Sequence, residues 1–130
     1  FFSSFGGSNA ACAAGLAVLE VIEREGLQEH ARIVGERLLT GLRAIDDGRI
    51  GDVRGSGLFL GIELVEDQTT KQPAARDAAR LVNRFRHHGI LLGTDGPLHN
   101  VIKLRGPMPL SADDAGFFLE VFAKLLRENA

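Results

Sequence analysis

Asp52-Val53-Arg54-Gly55-Ser56-Gly57-Leu58-Phe59-Leu60-Gly61-Ile62-Glu63-Leu64-Val65 is the stretch on which the fold turns. Leu58, Leu60, Ile62 and Leu64 alternate with Phe59, Gly61, Glu63 and Val65, the period of two that a strand with one buried face requires. Ile50 to Arg54 reads as another strand, and Gly55-Ser56-Gly57 supplies the turn between them. Beyond Val65 the chain becomes a polar loop, Glu66 to Gln72.

Upstream of this pair the periodicity is helical. Leu27, Ala31, Val34, Leu38, Leu42 and Ile45 recur every three or four residues, with Glu29, Arg32, Glu36, Arg37 and Arg43 largely off that stripe. A one-sided helix from about Leu27 to Ile45 is expected, ended by Asp46-Asp47-Gly48. Before it, Ser8 or Asn9 should open a helix that runs to about Glu25 and stops at Gly26. Its residues Ala10 to Ile22 are apolar on most faces, so it is expected to be buried or to lie in an interface.

Downstream, a third helix should begin at Pro73, a favoured first-turn residue, and end before Gly89. Ile90 to Leu92 and Val101 to Leu104 read as short strands around a loop, Gly93-Thr94-Asp95-Gly96-Pro97. Gly106-Pro107-Met108-Pro109 interrupts regular structure. Ser111 then caps a last helix, with Asp113 and Asp114 in its positively polarised first turn and Ala115, Phe118, Leu119, Phe122, Leu125 and Leu126 on its core face. The order is two helices, two strands, a helix, two strands and a helix. It predicts an α+β two-layer domain with the helices packed on one small sheet.

A chain of 130 residues, 45% apolar and 25% charged, has the size and composition of one domain with its own core. No apolar run approaches the ~20 residues that a spanning helix needs, so no membrane partner is expected. The formal charge is −2, Lys and Arg are scattered, and Tyr and Trp are absent, which argues against a nucleic-acid partner. The lone cysteine, Cys12, excludes an internal disulfide and fits a reducing compartment. In an apolar helix its expected role is that of an inert packed thiol. His87, His88 and His99 lack metal-site spacing; His99, in the glycine-rich loop, is the best placed of them, and no metal is expected. The start on Phe1-Phe2, without methionine or a basic leader, reads as a cut through a longer polypeptide.

Among residues with chemistry, Ser3 to Asn9 put hydroxyls and glycines ahead of a helix N-terminus, where backbone N–H groups and the helix dipole favour an anion. The same residues also serve as an ordinary N-cap with glycines for turn geometry. Arg54 and Arg105 flank the strands, where each can receive an anionic substrate or pair structurally. Asp52 and Glu63, on adjacent strands, are expected to be ion-pair partners rather than an acid/base pair.

Three segments resemble a known family. Phe2-Ser3-Ser4-Phe5-Gly6-Gly7-Ser8-Asn9-Ala10-Ala11-Cys12-Ala13 is similar to a segment of the class-III, pyridoxal-phosphate-dependent aminotransferases that reads roughly Phe-Asn-Thr-Phe-Gly-Gly-Asn-Pro before a small-residue helix. Asp52 to Leu64 resembles the family's next landmark. Gly93 to Leu104, running on to Pro107-Met108, resembles the branch that contains ethanolamine-phosphate and phosphohydroxylysine phospho-lyases. The matches follow the family's order over nearly the whole chain.

The resemblance implies that residues 1–130 are the C-terminal small domain of a fold-type-I enzyme, with residues 1–25 the loop and helix leading into it and the catalytic large domain elsewhere. It implies pyridoxal phosphate as cofactor and a homodimer formed through the upstream domain and the first helix. It implies a small-molecule amine substrate and a cytoplasmic location. Ser4 stands where the family's threonine binds the cofactor phosphate of the neighbouring subunit, flanked by Ser3, Gly6 and Gly7; serine keeps the hydroxyl but loses the methyl that restricts the rotamer. Ser8-Asn9 departs from the family's Asn-Pro. Lys103 stands where many members carry an arginine that pairs with a substrate carboxylate or an active-site glutamate, and Arg105 lies beside it; lysine cannot make arginine's planar bidentate contact, and an exposed strand lysine is the other reading of this position. The lysine is shared with the phospho-lyase branch. The Schiff-base lysine is expected upstream, because none of Lys71, Lys103 and Lys124 matches its position, so no catalytic residue is assigned in this chain. The implied activity is transamination of a small amine or ω-amino acid. The alternatives are elimination of phosphate from a phosphorylated amino alcohol and, in a different class, a non-catalytic dimerisation or binding module.

Overall fold

A computed structural model describes residues 6–128. The chain runs α1 (Asn9–Arg24), α2 (Leu27–Arg43), β1 (Ile50–Ser56), β2 (Phe59–Leu64), α3 (Ala75–Arg86), β3 (Gly93–Asp95), β4 (Val101–Arg105) and α4 (Ala112–Arg127). The strands form one sheet in the order β1-β2-β4-β3, each pair antiparallel. The two-layer α+β architecture expected from the alternating pattern is the one observed.

The sheet has one wet face and one dry face, as the period-two pattern dictates. Val53, Leu60, Ile62, Leu64, Ile102 and Leu104 point to the dry side and are buried. Against them lie Val34, Leu38 and Leu42 of α2, Ala78, Leu81 and Phe85 of α3, and Ala115, Phe118, Phe122, Leu125 and Leu126 of α4. The rings of Phe85, Phe118 and Phe122 stack with centroids 5.5 to 6.0 Å apart, filling the seam between α3 and α4. Asn100 is the buried polar residue of this core among the described residues, and its side chain donates to the Leu64 carbonyl at 2.8 Å, so it stays hydrogen-bonded.

Two glycines set how α2 meets the sheet. A β-carbon on Gly35 would sit 2.0 Å from the carbonyl oxygen of Gly57, so the helix backbone lies directly on the β1–β2 turn. Gly57 itself has φ +53, which the tight turn requires and side chains disfavour. At the other end of α2 the Arg43 guanidinium donates twice to the Val53 carbonyl, at 3.1 and 3.0 Å, and holds the helix C-terminus to β1.

The α2–β1 connection is tied to the far end of the chain. Arg49 binds both oxygens of Asp47, at 2.9 and 2.6 Å, and donates to the Leu126 carbonyl in the last turn of α4 at 2.6 Å. Arg49 holds the Asp47 carboxyl below its ordinary value of 3.8. At the start of α4, Ser111 and Asp114 make the expected cap in reciprocal form. The Asp114 N–H donates to Ser111 Oγ at 3.0 Å and the Ser111 N–H to Asp114 Oδ2 at 3.3 Å.

Three expectations change. The third strand is Gly93–Asp95, not Ile90–Leu92. Ile90 and Leu92 do turn toward the core and Leu91 is 81% exposed, so the alternation is real. The Ile90 N–H, however, is spent on the Phe85 carbonyl that closes α3, and pairing with β4 begins at the residues nearest the 96–100 turn. The third helix begins at Ala75 rather than Pro73, because Pro73 is held in a bridge to Val65 and the Ala74 N–H donates to Leu64. In α1 no residue is buried, and Leu16, Val18 and Leu19 are exposed; among the elements it touches α2 alone. Cys12 is therefore exposed rather than packed.

Two outcomes are expected in chemical unfolding. Gly35→Ala should cost about 3 kcal/mol, because the added carbon meets backbone that cannot turn aside, while Gly48→Ala, with open space around it, stays within about 0.5 kcal/mol. Asp47→Asn should cost about 1.5–3 kcal/mol at neutral pH. The folded-state value of Asp47 is depressed, so its contribution is present above 3.8 and is lost as pH falls through the folded value; the variant and the parent should then converge in acid.

Candidate functional site on the uncovered sheet face

The residues that alternate with the buried ones lie on the sheet face that no helix covers. Strand register arranges them in three rows. Asp52, Glu63, Val101 and Asp95 form one row; Arg54, Gly61, Lys103 and Gly93 form the next; Ser56, Phe59 and Arg105 form the third. The middle row sets two cations on either side of a residue with no side chain. Adjacent strands lie about 4.8 Å apart, so the backbones bearing Arg54 and Lys103 are separated by about 10 Å across Gly61. An open depression of about 230 Å³ lies here, lined by Arg54, Phe59, Gly61, Asp95, Val101 and Lys103 among others.

Each of those two cations is held by carboxylates of the first row. Arg54 Nη1 meets Asp52 Oδ2 at 2.7 Å and Glu63 Oε2 at 2.6 Å. Asp52, then Glu63, push the Arg54 guanidinium further toward its charged form. Lys103 Nζ meets Asp95 Oδ2 at 2.5 Å, and the other Asp95 oxygen accepts the Gly96 N–H at 2.8 Å. Lys103 first, and the Gly96 N–H behind it, hold the Asp95 carboxyl below the usual carboxylate range. Asp52 and Glu63 thus serve as ion-pair partners, as their positions on neighbouring strands suggest. Arg105 is exposed beside Phe59 and makes no side-chain ion pair among the described residues.

The other sequence-derived site residues sit elsewhere. Gly6 and Gly7 are exposed ahead of α1; Gly7 has φ +80 with open space where a β-carbon would be. Ser8 occupies the N-cap position of α1 but makes no side-chain cap, and the first turn carries no acidic residue. Ser3 and Ser4 lie outside the described residues. His99 stands at φ +53 in the turn before β4, and no cluster of metal-ligating side chains exists among the described residues.

Gly61 and Asp95 are the members of the face that sequence reasoning passed over. Gly61 had a usable signal, because a glycine inside an alternating strand often marks a close approach. Asp95 had none, since its loop composition hid the three residues that pair with β4.

A two-layer α+β domain with one bare, charge-patterned sheet face is the class that fold and site define, and solved aminotransferases contain the same architecture. A family model for class-III aminotransferases matches residues 2–126, and the chain belongs to that family. It is 42% identical to an alanine–glyoxylate aminotransferase 2 homologue of Arabidopsis thaliana, over 92% of this chain and 26% of that one. It is 40% identical to ethanolamine-phosphate phospho-lyase homolog 1 of Caenorhabditis elegans, over 83% of this chain and 24% of that one. Among solved structures it superposes with TM-score 0.92 on a phospholyase from Arthrobacter in complex with phosphoethanolamine, 34% identical, over 98% of this chain and 31% of that one. A PLP-bound amine transaminase from an uncultivated Pseudomonas species superposes with TM-score 0.79 at 35% identity, over 91% of this chain and 27% of that one. The chain spans about a quarter of the length of the curated relatives it matches. The cytoplasmic expectation is corrected, since the Arabidopsis relative and one from Pongo abelii are both named as mitochondrial.

Because the Arg54 cluster reaches water, Arg54→Met should lower the unfolding free energy by less than about 1 kcal/mol. A loss of about 3 kcal/mol or more in equilibrium unfolding would contradict a solvent-open face.

Proposed function

We propose that this chain is the C-terminal small domain of a pyridoxal-phosphate-dependent class-III aminotransferase that acts on the amino group of a small amine or ω-amino acid. In this reading residues 1–25 lead into the domain and the large domain lies upstream. The observation that carries the reading is the family match over residues 2–126, which runs through every element of the fold.

The residues present fit the cofactor's phosphate at the head of α1. The uncapped first turn, the absence of a carboxylate there and the φ +80 of Gly7 leave backbone N–H groups accessible to an anion. Ser4, with Ser3, Gly6 and Gly7, would hold that phosphate from the neighbouring subunit of a homodimer. The exposed Leu16, Val18 and Leu19 of α1 support an interface role for this helix. Bound pyridoxal phosphate supplies an electron sink for the amino-bearing carbon. The uncovered sheet face would close over the substrate, with Lys103 and Arg105 meeting an anionic group on it.

In this reading the anchoring lysine belongs to the upstream domain, since none of Lys71, Lys103 and Lys124 stands at the family's position; Lys71 donates to Gln68 Oε1 at 2.5 Å, Lys103 is paired with Asp95 and Lys124 with Glu128 at 3.8 Å, each as a surface ammonium.

Phospho-lyase action on a phosphorylated amino alcohol is the second reading. It is favoured by lysine rather than arginine at position 103 and by the likeness to the phosphoethanolamine-bound phospholyase.

Borohydride reduction after addition of pyridoxal phosphate to the full-length enzyme, followed by peptide mapping, should place the stoichiometric adduct outside this chain. A specific adduct on Lys71, Lys103 or Lys124 would sink the reading. Ser4→Ala should weaken cofactor affinity by about 1–3 kcal/mol, or roughly 5- to 150-fold, in an equilibrium titration. Unchanged affinity removes Ser4 from the phosphate site.

A further inference from the structure

Lys103 is the cation of the bare face that lies inside the sheet between two glycines. Its neighbours in the row are Gly61 on one side and Gly93 on the other, so no side chain walls it in along that line. A β-carbon at Gly93 would meet nothing within 4 Å, and one at Gly61 would meet only Val101 Cγ1, at 3.2 Å. Its ammonium is nevertheless paired. Asp95 takes one of its three donors at 2.5 Å and points it toward the β3 edge. The second Asp95 oxygen accepts the Gly96 N–H at 2.8 Å, in the β3–β4 turn where Gly96 takes φ +81, so both oxygens of the carboxylate are engaged before any ligand arrives.

We propose that Asp95 is a specificity-determining residue: a built-in competitor for Lys103, which sets how strongly the face prefers an amine carrying an anionic group over an uncharged one. The proposal rests on the reading that this face meets the substrate. A substrate carboxylate or phosphate approaching Lys103 meets an ammonium that is already paired, beside a negative charge. An uncharged amine leaves the pair intact and loses nothing. The face as a whole is close to neutral, with Arg54, Lys103 and Arg105 set against Asp52, Glu63 and Asp95. Removing the Asp95 charge shifts it toward net positive, and a phosphate dianion feels that shift more than a carboxylate does. Because Lys103 and Asp95 are 39% and 55% exposed, the effect is that of a solvent-screened pair.

The test compares the full-length enzyme with its Asp95→Asn variant on an aminoalkyl phosphate, an ω-amino acid of the same chain length and an uncharged alkylamine. Asparagine keeps an acceptor for the Gly96 N–H and removes the charge; Asp95→Ser serves the same purpose if the first variant does not fold. The expected result is a KM for the ω-amino acid about 2- to 5-fold lower, which corresponds to the loss of an exposed pair. The KM for the aminoalkyl phosphate should fall further, that for the uncharged amine should change less than about 2-fold, and the differences should shrink in about 0.5 M salt. Equal shifts for all three substrates, or a rise for the anionic ones, would overturn the proposal and leave Asp95 a structural residue. Lys103→Met separates the two levels of inference. If it raises KM for the anionic amines while Asp95→Asn does nothing, the face meets the substrate and the role given to Asp95 falls. If it leaves all three KM values unchanged, the face does not meet the substrate's anionic group, and both readings fall.

Discussion

The contact of α2 with the β1–β2 turn constrains everything above it. The Gly35 backbone lies so close to Gly57 that a β-carbon at position 35 would sit 2.0 Å from the Gly57 carbonyl oxygen. That closeness lets Val34, Leu38 and Leu42 reach the buried side of the sheet directly. It also fixes which side of the hairpin is dry. Once Leu60 and Ile62 face the helices, Phe59, Gly61 and Glu63 must face the other way, because a strand has no third option. The charged face follows from the packed one.

That bare face has a definite electrostatic design. A row holding two cations lies beside a row of carboxylates, and Gly61 keeps the space between the cations open. Pairing each cation with a carboxylate avoids a patch of one sign on an exposed surface. It also leaves charged groups poised near a surface that can close on a ligand. Neither Arg54 nor Lys103 is an idle cation, so an anion reaching this face exchanges partners rather than filling a vacancy.

Much of this was legible in the sequence. The alternation of Leu58, Leu60, Ile62 and Leu64 and the stripe of α2 sufficed for the two-layer fold, because burial on one face leaves a periodic trace. The Ser111 cap was readable for the same local reason. Long-range choices were not. Ile90 to Leu92 carries a strand-like alternation but enters no strand pairing among the described residues, since strand pairing is decided by the neighbouring turn. The apolar residues of α1 promised burial or an interface; among the described residues none of them is buried and α2 is the one element that the helix touches. The carboxylates that hold Arg54 were named in advance, whereas Asp95 was concealed by the glycine-rich composition around it. At Ser4 the hydroxyls and glycines ahead of α1 suggested an anion, and family resemblance named the cofactor phosphate.

The central claim is that this domain's uncovered surfaces are the inner surfaces of a larger enzyme. Hydroxyl-radical footprinting of the isolated chain and of the full-length protein tests it most directly, read at Phe59 on the bare sheet face and at Leu16 and Leu19 on α1. These side chains are 58%, 62% and 62% exposed in the chain alone. The account predicts that all three are strongly protected in the full-length protein. Equal labelling in both would contradict it.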